Sequence, residues 1–311
     1  MGERSGDEGR GTSDEPPQLL VPRPSSLVPH TIGDAITELA ERLAGTGVEE
    51  PRAEARDILA ALLDVPRFWP SAHRDAALDV GVWRGAQHAA QRRARGAPFA
   101  YAVGRAAFRH LTLDVDERVL IPRQETEQLV EEVLGRGLSG GVAVDVGTGS
   151  GAIALALATE GRFERVIATD VCLDALAIAR RNAVLLGAAL RTPVEFRHGS
   201  LLAPVRGARV RAVVSNPPYI AYPEAATLPA GVRDWEPPIA LFSGADGLLA
   251  TTAIVRDAAD VLERGGLLGL EVDSRRASLV AELALAHGAY RDVSVRLDLA
   301  GRERFVLALR R

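Results

Sequence analysis

The stretch Val142-Ala143-Val144-Asp145-Val146-Gly147-Thr148-Gly149-Ser150-Gly151-Ala152-Ile153-Ala154-Leu155-Ala156-Leu157-Ala158 sets the fold class. A short apolar strand, a glycine loop and an alanine-rich helix in that order make the first βα turn of a doubly wound α/β sheet that binds a nucleotide. Glycines are required where a ligand comes too close to the backbone for a Cβ. The spacing is G-x-G-x-G rather than the dinucleotide G-x-G-x-x-G, which weakens a nicotinamide reading. The next strand, Arg165 to Thr169, ends at Asp170, about 20 residues past the loop, where a carboxylate can accept from both hydroxyls of a ribose.

A second stretch completes the set. Val213-Val214-Ser215 is an apolar strand that runs into Asn216-Pro217-Pro218-Tyr219. Two prolines remove two backbone donors and hold φ near about −65°, so the strand stops in a rigid elbow. Asn216 brings one acceptor and two donors, the prolines leave carbonyls with no competing N–H, and Tyr219 brings a flat ring. Such a group suits a planar –NH2, its hydrogens held by oxygens and its face covered by the ring. Alone, Asn-Pro-Pro reads equally well as a strand-ending turn with a core tyrosine. The loop, Asp170 and this turn fall in order at the carboxyl edge of one sheet.

Composition bounds the rest. The 311 residues are 47% apolar and 25% charged, an ordinary globular balance with room for two modest domains. No apolar run approaches the roughly 20 residues of a spanning helix, and no membrane partner is expected. The single cysteine, Cys172, excludes an internal disulfide and a cysteine metal cluster and fits a reducing cytoplasm. A net charge of −4 argues against a dedicated duplex-DNA binder, so no stable nucleic-acid partner is expected. The densest basic run, Gln91-Arg92-Arg93-Ala94-Arg95, reads as a solvated last turn of a helix or as a local patch.

Residues 1–30, rich in Gly, Ser, Glu, Asp and Pro, read as a disordered extension. Residues 31–98 read as a small all-α bundle, with helices starting at Thr31 and Pro51 and a third over about 82–94. Residues 99–122 read as a connecting hairpin whose strands are Tyr101 to Gly104 and Leu111 to Val115. From 123 onward, a helix over Glu125 to Leu134 precedes the sheet. The acids at its start either cap it or line the ligand cleft. Ser200 and Leu201 follow the third strand, where an adenine edge would lie. The last two strands, Val293 to Leu297 and Phe305 to Leu309, flank Asp298-Leu299-Ala300-Gly301-Arg302, too few residues for a crossover helix, so they must pair antiparallel, giving a mixed seven-stranded sheet.

From about Thr31 onward the chain resembles the release factor glutamine methyltransferase family. The likeness rests on Arg92-Arg93 leading to Pro98 and Tyr101, on Leu120-Ile121-Pro122-Arg123 with Glu125-Thr126-Glu127, and on Asp145 to Gly151. It continues through Asn216 to Tyr219, Glu236-Pro237, Asp246-Gly247-Leu248 and Asp298-Leu299-Ala300-Gly301. The resemblance implies a Rossmann-like class I methyltransferase domain over 123–311, with the bundle recognising the substrate. It implies S-adenosylmethionine as cofactor, S-adenosylhomocysteine as product, and as partner a peptide chain release factor methylated at the glutamine of its GGQ motif. Gly147, Thr148, Gly149, Ser150, Gly151, Asp170, Ser200, Leu201 and Asn216 would contact the cofactor. Asn216, Pro217, Pro218 and Tyr219 would hold the glutamine, with Asn216, Pro217 and Tyr219 catalytic. A cytoplasmic monomer is expected. The sequence departs from the family pattern at Gln124, where proline is usual, at Ser200-Leu201, where an acid and often an aromatic are usual, and over Glu271 to Arg276, which lacks the usual glycine and glutamine after the strand. Two other readings share these residues: an amino-methyltransferase acting on a nucleic-acid base, and a cofactor-binding module without catalysis.

Overall fold

Thr31 sits in extended backbone and accepts the Asp34 N–H on its hydroxyl, an N-cap that starts α1 (Ile32–Leu43). The computed structural model describes residues 31–311, so the extension 1–30 lies outside the described residues. Pro51, whose missing N–H would be unpaired in a first turn anyway, starts α2 (Pro51–Leu63). The single turn α3 (Trp69–Ala72) follows, and Asp79 caps α4 (Val80–Ala94) through the N–H groups of Gly81 and Val82. Ile36, Leu39, Ile58, Leu59, Trp83 and Ala86 form the core of this bundle.

The connecting segment differs from the sequence reading. Tyr101 to Gly104 is not a strand: Phe99–Val103 forms α5, and the hairpin is built from β1 (Arg105–Phe108) and β2 (Leu111–Asp114). Pro98 opens a helical turn and Gly104, at φ 76°, closes it in the left-handed region. The two alanines of β1 give the period-two pattern too little contrast to be seen in the sequence. Tyr101 instead points inward and donates its hydroxyl to the Val119 carbonyl at 2.5 Å. The basic run 91–95 is also neither free nor fully solvated. Arg93 is half-buried and paired with Glu54 of α2, and Arg92 pairs with Glu117 and lies over the Trp235 ring.

After α6 (Gln124–Leu134) come β3 (Val142–Val146), α7 (Ala152–Glu160), β4 (Arg165–Asp170), α8 (Leu173–Leu186), β5 (Val194–His198) and β6 (Val210–Ser215). Two single turns, α9 (Ala230–Arg233) and α10 (Pro238–Leu241), precede α11 (Leu249–Val261), β7 (Leu262–Glu271), α12 (Ala277–Ala286), β8 (Tyr290–Leu297) and β9 (Glu303–Arg310). The sheet order is β5-β4-β3-β6-β7-β9-β8, and β9 runs antiparallel to both neighbours, as the short connection requires. Helix α7 is apolar all round and buried from Ala152 to Ala158; its alanines let it lie close against the sheet. With α6 it covers one face, while α11 and α12 cover the other. Strand order reverses between β3 and β6, so the carboxyl ends of β3, β4 and β6 border one crevice, the position where open α/β sheets bind ligands. Among the described residues no helix is long and apolar enough to cross a membrane.

Candidate active site

The glycine loop divides its work. Gly147 and Gly149, both at positive φ, have open space where a Cβ would stand and line the crevice. A Cβ on Gly151 would meet Leu155 and Ala179 at 2.9 and 3.3 Å, so that glycine serves helix packing. Thr148 and Ser150 are also turned to the fold. The Thr148 hydroxyl donates to Asp145 Oδ2 at 2.6 Å, and the Ser150 carbonyl accepts Asn182 Nδ2 at 2.9 Å. Asp145 also accepts the Ala154 N–H; complete burial pushes its carboxyl up to about 7 despite those two bonds.

Asp170 already carries structural bonds. Its Oδ2 accepts the Gly149 N–H and its Oδ1 the Cys172 N–H, both at 2.9 Å. A carboxylate has about four acceptor sites, so two remain for a ligand. The crevice here encloses about 470 Å³ between Gly147, Gly149, Asp170, Leu201, Asn216 and Phe242. Ser200 and Pro218 also line it. Leu201 holds φ 47°, a left-handed conformation that costs a non-glycine residue about 1–2 kcal/mol, and its carbonyl accepts the Thr169 hydroxyl at 3.0 Å.

The Asn-Pro-Pro-Tyr turn lies at the other end of the crevice. A second cavity of about 70 Å³, lined by Arg123, Pro217, Tyr219 and Ile220, shares Leu120, Asn216 and Ala240 with the first. Asn216 therefore stands between a large cavity and one the size of a small functional group. Its Nδ2 donates to Thr126 Oγ1 at 3.0 Å, and the Thr126 hydroxyl donates to Glu271 Oε2 at 2.6 Å. Burial pushes the Glu271 carboxyl up to about 7 and the Tyr219 phenol up to about 12, the latter helped by the nearby Glu271 charge. The start of α6 does border the site, through Thr126 and Arg123 rather than through its acids. Arg123 reaches Glu236, which is 3% exposed, at 2.5 Å.

Thr126 and Glu236 stand in stretches that carry the family resemblance, but neither they nor Glu271 has an assigned role at the site in the sequence reading. The available signal was an acid closing the apolar run Leu267 to Leu270, on the same sheet edge as Asp170. The departure at Asp273 to Arg276 has a structural use. Arg275 and Arg276 pair with Glu224, and Arg276 Nε donates to the Asp246 carbonyl at 2.7 Å, tying two loops behind the turn. Gly247 in one of these loops holds φ 78°, and a Cβ there would lie 2.4 Å from the Tyr219 carbonyl oxygen. Gly247→Ala is expected to lower stability by about 1–2 kcal/mol from the left-handed backbone alone. Thermal unfolding checks the loss.

Among the described residues no group of three His, Cys, Asp or Glu side chains could hold a metal ion. Residues 34–104 match the PrmC N-terminal domain and residues 106–228 the methyltransferase small domain. The chain is 44% identical over 287 residues to the release factor glutamine methyltransferase of Moorella thermoacetica, spanning 90% of this chain and 99% of that one. It is 38% identical over 280 residues, 89% of this chain and 98% of the other, to the protein of the same name from Deinococcus radiodurans. The chain belongs to the release factor glutamine methyltransferase family. It also resembles the solved hMettl16 catalytic domain in fold, at 17% identity and a TM-score of 0.50 over 77% of this chain and 85% of that one. As a member of the release factor glutamine methyltransferase family it is a methyltransferase.

Proposed function

We propose that this protein transfers a methyl group from S-adenosylmethionine to the side-chain amide nitrogen of a glutamine in a peptide chain release factor. The observation that carries this reading is the bonding of Asn216: its Nδ2 is spent on Thr126, which leaves Oδ1 as the acceptor beside both cavities. The family names of the relatives point to the same substrate.

The residues present fit the cofactor. Gly147 and Gly149 keep the loop free of side chains, Asp170 has two acceptor sites to spare for a ribose, and the crevice lies within the roughly 300–1,000 Å³ of small-molecule sites. S-adenosylmethionine supplies an electrophilic methyl on a sulfonium. An amide nitrogen is a poor nucleophile because its lone pair is conjugated into the carbonyl, so orientation carries much of the catalysis. Asn216 Oδ1 and the Pro217 carbonyl accept the two amide hydrogens and aim the nitrogen toward the crevice, while Tyr219 covers the amide plane. These oxygens also favour the positive charge that develops on nitrogen. The proton leaves after attack, so no strong base is needed beside the turn. The bundle recognises the release factor, and the enzyme works as a cytoplasmic monomer.

Titration with S-adenosylmethionine, then assay of methyl incorporation into a release factor, its isolated loop and DNA, tests this reading. Incorporation into DNA alone would overturn it. Asp170→Ala is expected to weaken S-adenosylmethionine binding by about 1.5–3 kcal/mol, the range for hydrogen bonds to a charged group. Unchanged affinity by calorimetry in a folded variant would remove Asp170 from the cofactor site.

A further inference from the structure

We propose that Glu271, acting through Thr126, is a positioning residue that fixes which end of the Asn216 amide faces the substrate. The inference rests on the reading that Asn216 holds the substrate amide. A primary amide has nearly the same shape after a half-turn, so packing alone does not choose between its oxygen and its NH2 group. Hydrogen bonding does choose. An ionised carboxylate only accepts, so the Thr126 hydroxyl must donate its one hydrogen to Glu271. The Thr126 oxygen can then only accept, and only the Nδ2 end of Asn216 satisfies it. Oδ1 is left for the substrate. Thr126 and Glu271, on α6 and β7, are 5% and 1% exposed, so no bulk water competes for either bond.

A protonated Glu271 loses this polarity. Its O–H can donate to Thr126, whose hydrogen is then free to bond Asn216 Oδ1, and the amide turns. An NH2 group would then confront the substrate's own NH2. The charged and titratable groups around Glu271 are Glu125 on α6 and Arg123 just before it, Arg304 on β9, and Tyr219 in the turn. Arg304 and Arg123 favour the ionised form, whereas Glu125 and, above all, burial oppose it, so the carboxyl titrates at about 7. The active, ionised form is lost as pH falls through that value.

Two readouts on the full chain test the relay. Asn182 and Asn216 are the chain's two asparagines, so selective ¹⁵N-asparagine labelling gives two side-chain NH2 signals. The Asn216 signal should shift with an apparent pKa near 7 in the wild type and lose that titration in Glu271→Gln, with Asn182 as the internal control. An Asn216 signal that does not titrate, or that titrates unchanged in Glu271→Gln, overturns the relay whatever the substrate proves to be. Single-turnover methyl transfer to a release factor gives the second readout. Glu271→Gln and Thr126→Val should each lower the rate about 10- to 100-fold, the range for groups that orient a functional ligand, with S-adenosylmethionine affinity unchanged. The acid limb of the rate should vanish in Glu271→Gln, and Thr126→Ser should restore most of the wild-type rate. Near-normal turnover in Thr126→Val would overturn the proposal. A wild-type enzyme that binds cofactor but leaves release factors unmethylated would instead sink the substrate reading, and the NMR titration would still decide the relay.

Discussion

Asn216→Ala is expected to keep most of its S-adenosylmethionine affinity and to lose about 10²- to 10³-fold in turnover, the cost of removing one preorganised polar group from a site where charge develops. The loss should fall on turnover more than on substrate affinity. The bonds from the substrate –NH2 strengthen as its nitrogen becomes cationic, so they are realised chiefly in the transition state. Asn216→Asp is the sharper variant. A carboxylate keeps an acceptor toward the substrate and would favour the cation, but it has no hydrogen for Thr126 and stands near Glu271. Two acids joined through one hydroxyl cannot both ionise easily, so a small residual rate that falls with rising pH is expected. Single-turnover transfer to a folded release factor decides the matter. Near-normal turnover in Asn216→Ala would remove the turn from the catalytic centre.

Arg123→Ala is expected to destabilise the fold by about 3 kcal/mol at neutral pH, the lower end of the range for stripping a buried ion of its partner, because Arg123 is itself partly exposed. Burial holds the Glu236 carboxyl above its ordinary 4.5 even with Arg123 present, and removing the guanidinium raises it further. Below the unfolded value the acid is protonated in both states and contributes no charge penalty. As pH rises, the unfolded state releases its proton first, and stability falls until the folded value is passed. The gap in melting temperature between wild type and Arg123→Ala should therefore be narrow near the ordinary carboxylate value of 4.5 and widen as pH rises above it. A gap that does not change with pH would show that Glu236 remains solvated. Because Trp235, beside Glu236, packs against Arg92 of the bundle, the variant also tests whether this segment couples the two domains.

The features legible in the sequence are those where the backbone itself is constrained. A glycine loop, an acid ending a strand and a double proline each leave a local mark, and together they place β3, β4 and β6 and one end of the crevice. The residues that polarise Asn216 leave none. Thr126 lies 90 residues from Asn216 and 145 from Glu271, and only the sheet order brings β7 beside β6 and α6 over both. Glu236 is likewise an ordinary acid until its burial against Arg123 is known. Leu201 gives no warning of a left-handed backbone, because leucine rarely adopts one. The misplaced strand at Tyr101 has the opposite cause: apolar residues of similar β and helix preference were decided by Pro98 and Gly104 at the ends.

Strand β9 follows β7 and β8 in the chain yet lies between them, with Phe305 opposite Glu271 in the ladder. On the ribosome, a nascent chain that has emerged only through β8 already carries the glycine loop, Asp170 and the Asn-Pro-Pro-Tyr turn. The edge of β7 beside them still lacks its partner, and Glu271 remains open to water from that side. Vectorial synthesis therefore makes the Asn-Pro-Pro-Tyr elbow before the dry wall behind it. The exposed edge in the interval is a pairing surface for other chains until residues 303–310 pair with it and bring β8 onto the sheet.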